Sequence, residues 1–168
     1  SAMSPAESTA LRAATLADVG LLLELIRELA VYEKEPDAAK ATPDLLHDGL
    51  FGPDPRAEAV IAEYGAEHGG EPAGFALFFH NYSTWTGKPG LYLEDLFVRE
   101  PMRGKGIGKA LLLHLVGIAR ERGCARMEWS VLDWNRTAID FYRSLGARPQ
   151  SEWTVYRLDQ EALERLAE

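Results

Sequence analysis

The stretch Leu91 to Gly108, L-Y-L-E-D-L-F-V-R-E-P-M-R-G-K-G-I-G, constrains this chain more than any other. An apolar run with strand character passes into a loop holding Gly104, Gly106 and Gly108, and the loop opens a helical pattern through Ile107, Leu111, Leu115 and Ile118. Glycines let successive backbone N–H groups turn towards one point, and a helix N-terminus adds roughly half a positive charge there. A strand–loop–helix of this kind predicts an anion site, most often for phosphate. Arg103, Lys105 and Lys109 stand around it.

Two common nucleotide patterns fit poorly. A P-loop needs Ser or Thr after Gly-Lys to reach a magnesium ion, but Ala110 follows Gly108-Lys109. A dinucleotide fold needs Gly-x-Gly-x-x-Gly and an acidic residue about 20 positions on. Here the glycines read Gly-x-Gly-x-Gly, and Glu121 and Glu128 are badly placed for that role. A solvated Gly-rich turn is the plain alternative.

Charge supports a functional loop. Residues 99–126 hold seven basic and two acidic residues in a 168-residue chain of net charge −8. Residues 30–71 hold ten acidic and three basic. A basic island in an acidic chain argues against broad binding to nucleic acid or an acidic membrane, and leaves acidic surface for a cationic ligand. The single cysteine, Cys124, excludes an internal disulfide framework and reads as a small buried hydrophobe. The four histidines lack metal-ligand spacing, so no metal site is expected. No apolar run approaches the ~18 residues of a membrane span. No basic-then-apolar leader is visible, so a cytoplasmic location is expected. Ser1-Ala2 before Met3 looks like a remnant of recombinant expression. Residues 1–9 are set aside as a flexible N-terminus, and residues 10–168 are expected to form a single domain.

Local signals predict the elements. Thr15 with Asp18 reads as a capping box for a helix ending near Tyr32. Thr42-Pro43 starts a second helix, to about Asp48. Residues 57–64 and 74–82 read as a hairpin, residues 91–98 as a third strand, and residues 11–14 as an assumed first strand. A helix over 107–122, a strand over 127–132, a helix capped by Asn135 and running to Leu145, a strand over 153–158 and a tail helix over 160–167 complete the order. This is an α/β chain with a mixed sheet and helices on both faces, with two crossovers that imply parallel neighbours.

Arg103-Gly-Lys-Gly106-Ile-Gly108 after Leu96-Phe97-Val98 resembles the acetyl-CoA loop of the GNAT superfamily of N-acetyltransferases. Leu91-Tyr-Leu-Glu-Asp95, Trp134-Asn135 and Phe141-Tyr142 are similar to its diamine (spermidine/spermine) acetyltransferase branch. Tyr82-Ser-Thr-Trp85 and Val131-Leu-Asp-Trp-Asn135 look most like thialysine N-epsilon-acetyltransferase-like members. The resemblance covers nearly the whole chain. It implies a GNAT-like, mostly antiparallel central sheet, acetyl-CoA as co-substrate, a small-molecule amine acceptor and a homodimer.

It also implies roles. Primary amines near the lysine pKa of ~10.4 are almost wholly protonated at neutral pH, and deprotonation in advance costs roughly 4–5 kcal/mol. Glu94 is expected to bind the amine and take its proton, directly or through water. Tyr142 is expected to protonate the leaving thiolate, although a ring beside Phe141 is also ordinary packing. Leu96, Phe97 and Val98, with Arg103, Gly104, Lys105, Gly106, Ile107, Gly108 and Lys109, would hold acetyl-CoA; a bulge near Leu96 would free an N–H for the thioester oxygen. Asn135 resembles a further cofactor contact, though an N-cap role is sufficient by itself. Tyr32, Glu33, Ser83, Trp85, Trp134 and Trp153, with Glu94, are the candidates for the acceptor pocket, since aromatic walls with a few carboxylates suit an aliphatic amine, although ordinary packing explains Tyr32, Glu33 and the tryptophans equally well. Asp95 could equally be a structural acceptor. Polyamine enzymes tend to carry an acid at the position of Ser83, so its absence favours a shorter or lysine-like amine. Acetylation of polyamines, of proteins or peptides, and acyl-CoA binding without catalysis are the alternatives.

Overall fold

The computed structural model describes residues 8–65, 67 and 69–168. Residues 1–7, Ala66 and His68 lie outside the described residues. Packing divides the chain into one compact unit ending at Ser130 and a second spanning Val131–Glu168.

In the first unit the order is β1 (Thr9–Ala13), α1 (Val19–Tyr32), α2 (Pro43–Phe51), β2 (Glu58–Tyr64), β3 (Glu71–Ser83), β4 (Lys88–Val98), α3 (Ile107–Glu121) and β5 (Met127–Glu128). The strands form one sheet in the order β1-β2-β3-β4-β5. The first four pair antiparallel, and β5 runs parallel to β4. The fold is therefore the mixed α/β sheet that the pattern predicted, and mostly antiparallel as the family resemblance implied.

Ile61, Phe75 and Phe97 are register partners across three strands. They pack with Leu22, Leu25 and Leu29 of α1 and Leu50 of α2, so these helices cover that face. Val98 points to the other side, where a Cβ on Gly108 of α3 would lie 3.6 Å from its Cγ2. Helices thus cover both faces. A Cβ on Gly74 would strike the Phe97 carbonyl oxygen, so only glycine lets β3 approach β4 there.

The helix starts are chemical. The Thr15 N–H donates to Asp18 Oδ2 at 2.7 Å, in a short 3₁₀ turn leading into α1. Arg12 grips the same carboxylate at 2.7 and 2.8 Å and holds it down at a pKa of about 2, with burial opposing. Thr42 Oγ1 accepts the Leu45 N–H at the start of α2. That helix continues past Asp48 to Phe51 because Leu50 and Phe51 reach the core.

Four expectations are corrected. The first strand begins at Thr9 and ends at Ala13, where its pairing to β2 runs from Tyr64 to Val60. The strand expected over 127–132 stops at Glu128, because only Leu91 and Tyr92 of β4 pair with it. Residues 153–158, whose alternating pattern suits a sheet, join no ladder among the described residues, and Val155 and Tyr156 are exposed. Among the described residues there is one parallel crossover, β4–α3–β5, instead of two.

The second unit holds α4 (Arg136–Ser144) and α5 (Gln160–Leu166). Asn135 Oδ1 accepts the Ala138 N–H, and Asp159 Oδ1 the Ala162 N–H, so each helix has its cap. Among the described residues, no helix is long and apolar enough to cross a membrane.

Candidate active site

The glycine loop takes the shape its composition requires. Gly104 and Gly106 both have φ of 78°, in the left-handed region, and Gly106 is the N-cap of α3. A side chain there would be strained on backbone grounds alone. A Cβ at either glycine would meet no heavy atom within 4 Å, so the loop presents bare backbone to open space. With no capping side chain at Gly106, the first N–H groups of α3 remain available to an anion. This donor set fits a pyrophosphate.

The loop's cations rest on neighbouring groups. The Arg103 guanidinium lies 4.7 Å from the Tyr32 ring centroid and 5.9 Å from that of Phe97, and its Nε donates to the Val98 carbonyl at 3.2 Å. Lys105 Nζ lies 5.0 Å from the Tyr64 ring centroid. Lys109 is exposed on the first turn of α3.

Upstream on β4 the ladder breaks. Leu77 pairs with Asp95, and Phe78 with Leu93, so Glu94 is an extra residue without a cross-strand partner in β3. The expected bulge is present, two residues before Leu96. It resets the side-chain alternation that would otherwise send Glu94 and Asp95 to opposite faces. Past the bulge, Leu96, Phe97 and Val98 pair with Ala76, Phe75 and Gly74 on one side. On the other side β5 reaches only Leu91 and Tyr92, so among the described residues no strand covers that edge of 94–98. Open N–H and C=O groups of this kind suit an extended amide-bearing ligand.

Glu33 caps the C-terminal end of α1, and its Tyr32 packs on Phe97 with ring centroids 6.4 Å apart. Glu33 and Asp95 are partly buried and Glu94 is exposed. Burial raises the Asp95 pKa first, then the negative charges of Glu94 and Glu33, to about 7. Burial and Glu94 likewise raise that of Glu33. The negative charge of Glu94 thus bears on both Glu33 and Asp95 at the bulge, and a cation placed among these carboxylates would be favoured. Asp95 is the member that the sequence reading offered only as a structural acceptor, outside the site. The tandem acids Glu94-Asp95 in a strand were the available signal, but only the bulge and α1 reveal that both belong to one cluster.

Ser83 and Trp85 sit at the β3–β4 turn. Ser83 is buried, and its Oγ accepts the N–H groups of Trp85 and Thr86 at 3.2 and 3.3 Å. The hydroxyl shapes the turn that displays Trp85, which is 82% exposed. In the second unit, Trp134 and Trp153 are exposed. There Tyr142 is partly buried on α4, its ring 5.5 Å from that of Phe141.

A model of the acetyltransferase (GNAT) family matches residues 22–147. A thialysine N-epsilon-acetyltransferase of Sus scrofa is 38% identical over 167 residues, which cover 95% of this chain and 98% of that one. An L-ornithine N5-acetyltransferase of Arabidopsis thaliana is 39% identical over 133 residues, 79% of this chain and 49% of that one. An integron cassette protein of V. cholerae superposes with a TM-score of 0.79 at 29% identity, over 95% of this chain and 98% of that one. The glycine loop at the head of α3 and the bulged strand before it thus occur in a chain that belongs to the GNAT family of acetyltransferases.

Proposed function

We propose that the protein transfers the acetyl group of acetyl-CoA to a primary amine of a small diamine or lysine-like acceptor, by direct attack in a ternary complex. The observation that carries this reading is the polarity of β4 and its loop. The strand carries a carboxylate cluster at its bulge and leads into a basic, backbone-rich anion cradle. An amine cation suits the first, and the phosphates of acetyl-CoA suit the second. The relatives named for thialysine and ornithine acetylation support an amino-acid-like acceptor.

Acetyl-CoA supplies an activated acyl group on sulfur, and this chain's residues do the rest. The N–H groups of Gly104, Gly106, Ile107 and Gly108, with Arg103, Lys105 and Lys109, bind the pyrophosphate. The open edge at Leu96, Phe97 and Val98 orients the amide arm, and an N–H beside the bulge faces the thioester oxygen. Glu94 holds the ammonium, takes its proton and leaves a lone pair for attack on the acyl carbon. As the C–N bond forms and the C–S bond breaks, Tyr142 gives its proton to the departing sulfur and regains one from the nitrogen, which sheds its second proton as the amide forms, while the proton on Glu94 passes to solvent. Asn135 adds a cofactor contact.

Tyr32, Glu33 and Trp85, with Trp134 and Trp153, supply aromatic and acidic contacts for a short aliphatic amine. Since the family match crosses from Ser130 to Val131, both compact units belong to one acetyltransferase domain in this reading. Homodimer formation and a cytoplasmic location belong to the same proposal. Val155, Tyr156, Leu158, Leu163 and Leu166 are exposed, and an apolar surface of that kind supports a partner chain.

Thiol release from acetyl-CoA across thialysine, lysine, ornithine, short diamines, spermine and a lysine peptide tests the proposal. The highest kcat/KM is expected for the lysine-like amines or short diamines. A preference for spermine or the peptide would contradict it.

A further inference from the structure

We propose that Arg99 is a positioning residue for the acetyl-CoA loop, fixing it to one face of α1. Arg99 is the first residue after β4, and its side chain is only 19% exposed. Its Nη2 lies 2.8 Å from Glu24 Oε1 and 3.0 Å from Glu28 Oε2. Its Nε donates to Glu28 Oε2 at 3.1 Å and its Nη1 to the Pro72 carbonyl at 3.4 Å. Its backbone N–H donates to the Ala73 carbonyl at 2.8 Å. Every nitrogen of this residue is committed to α1 or β3.

Four residues later, Arg103 lies on Tyr32. Glu24, Glu28 and Tyr32 are themselves spaced by four, which aligns them in one stripe along α1. The turn Glu100–Met102 bridges the two arginines. One helix face therefore holds the entry to the glycine loop at two points. The loop needs this because its glycines are the residues with the widest conformational choice, and an anion cradle works only when its N–H groups already converge. Lysine cannot reproduce the hold, because a single ammonium lacks the planar fork that engages Glu24, Glu28 and Pro72 together.

The inference rests on the loop being the acetyl-CoA phosphate site, and the test separates the two claims. Arg99→Lys and, independently, Glu28→Gln are assayed with acetyl-CoA and with S-acetylpantetheine, which keeps the acylated arm but lacks the adenosine phosphates. The KM for acetyl-CoA is expected to rise about 5–30-fold, the factor that 1–2 kcal/mol gives. The KM for S-acetylpantetheine should stay within about twofold, with kcat at saturating acetyl-CoA unchanged. Equal losses with both donors would show that Arg99 only staples the fold, and an unchanged KM for acetyl-CoA in both folded variants would show that the loop needs no anchor. Either result overturns the proposal. A wild-type protein indifferent between the two donors would overturn the phosphate reading of the loop, and this inference with it.

Discussion

The loop after β4 and the bulge within it handle charge in opposite ways. At the loop, charge is cheap: Arg103 and Lys105 rest on aromatic rings, and Arg103 also satisfies the Val98 carbonyl. At the bulge charge is costly: burial first, then the negative charges of Glu94 and Glu33, lift Asp95 until it keeps its proton to about pH 7, and burial with Glu94 raises Glu33. The backbone follows the same division. The loop's left-handed positions are glycines, whereas the left-handed position beside Glu33 is Lys34, with φ of 64°. Preorganised N–H groups bind an anion with little further change. A compressed set of carboxylates favours whatever cation relieves it.

The largest break in this comparison is Glu94→Gln. Removing the charge that binds and deprotonates the amine should lower kcat by about 10²–10⁴-fold. Acetyl-CoA affinity by calorimetry should stay within twofold. Gly106→Val acts on the other side. No protein atom would oppose the new Cβ, so the fold carries only the left-handed backbone strain of about 1–2 kcal/mol. Acetyl-CoA should bind at least about tenfold more weakly, with the acceptor KM little changed.

The third test is a pH effect. Asp95 has a folded pKa of about 7 against an ordinary value of 3.8. Between those values the folded protein holds a proton that the unfolded chain has released. Stability from this group is therefore fully present below about pH 4 and is lost as pH rises through 7. Denaturant midpoints should fall over that window, and Asp95→Asn should flatten the fall. Over pH 6–8 the acceptor KM should drop as Asp95 ionises and attracts the cation, and the variant should lose that dependence. The smallest effect is Lys34→Gly, which relieves a left-handed side chain and should raise stability by about 1 kcal/mol without changing acetyl-CoA affinity.

The loop and α3 could be read in the sequence because their determinants are local: three glycines, a helical apolar period and a stop at Gly123. The core helices were legible for the same reason. The bulge was not readable from composition, since an extra residue in a ladder depends on how two strands register, and only the family resemblance pointed near it. Asp95 was read only as a structural acceptor because strict alternation would separate it from Glu94. The strand expected at 153–158 failed for a related reason: its pattern describes what it could pair with, but pairing requires a neighbour. Arg99 looked like one more basic residue, and its role depends on Glu24 and Glu28, some 70 positions earlier.

The central claim is that acceptor chemistry and cofactor binding are divided between the bulge and the loop. Initial rates of thiol release from acetyl-CoA with thialysine, run side by side for wild type, Glu94→Gln and Gly106→Val, test it most directly. The account predicts acceptor-dependent release by wild type, a collapse of kcat at constant acetyl-CoA KM for Glu94→Gln, and a raised acetyl-CoA KM with kcat largely kept for Gly106→Val. Absence of acceptor-dependent release in wild type, or both variants shifting the same parameter, would contradict it.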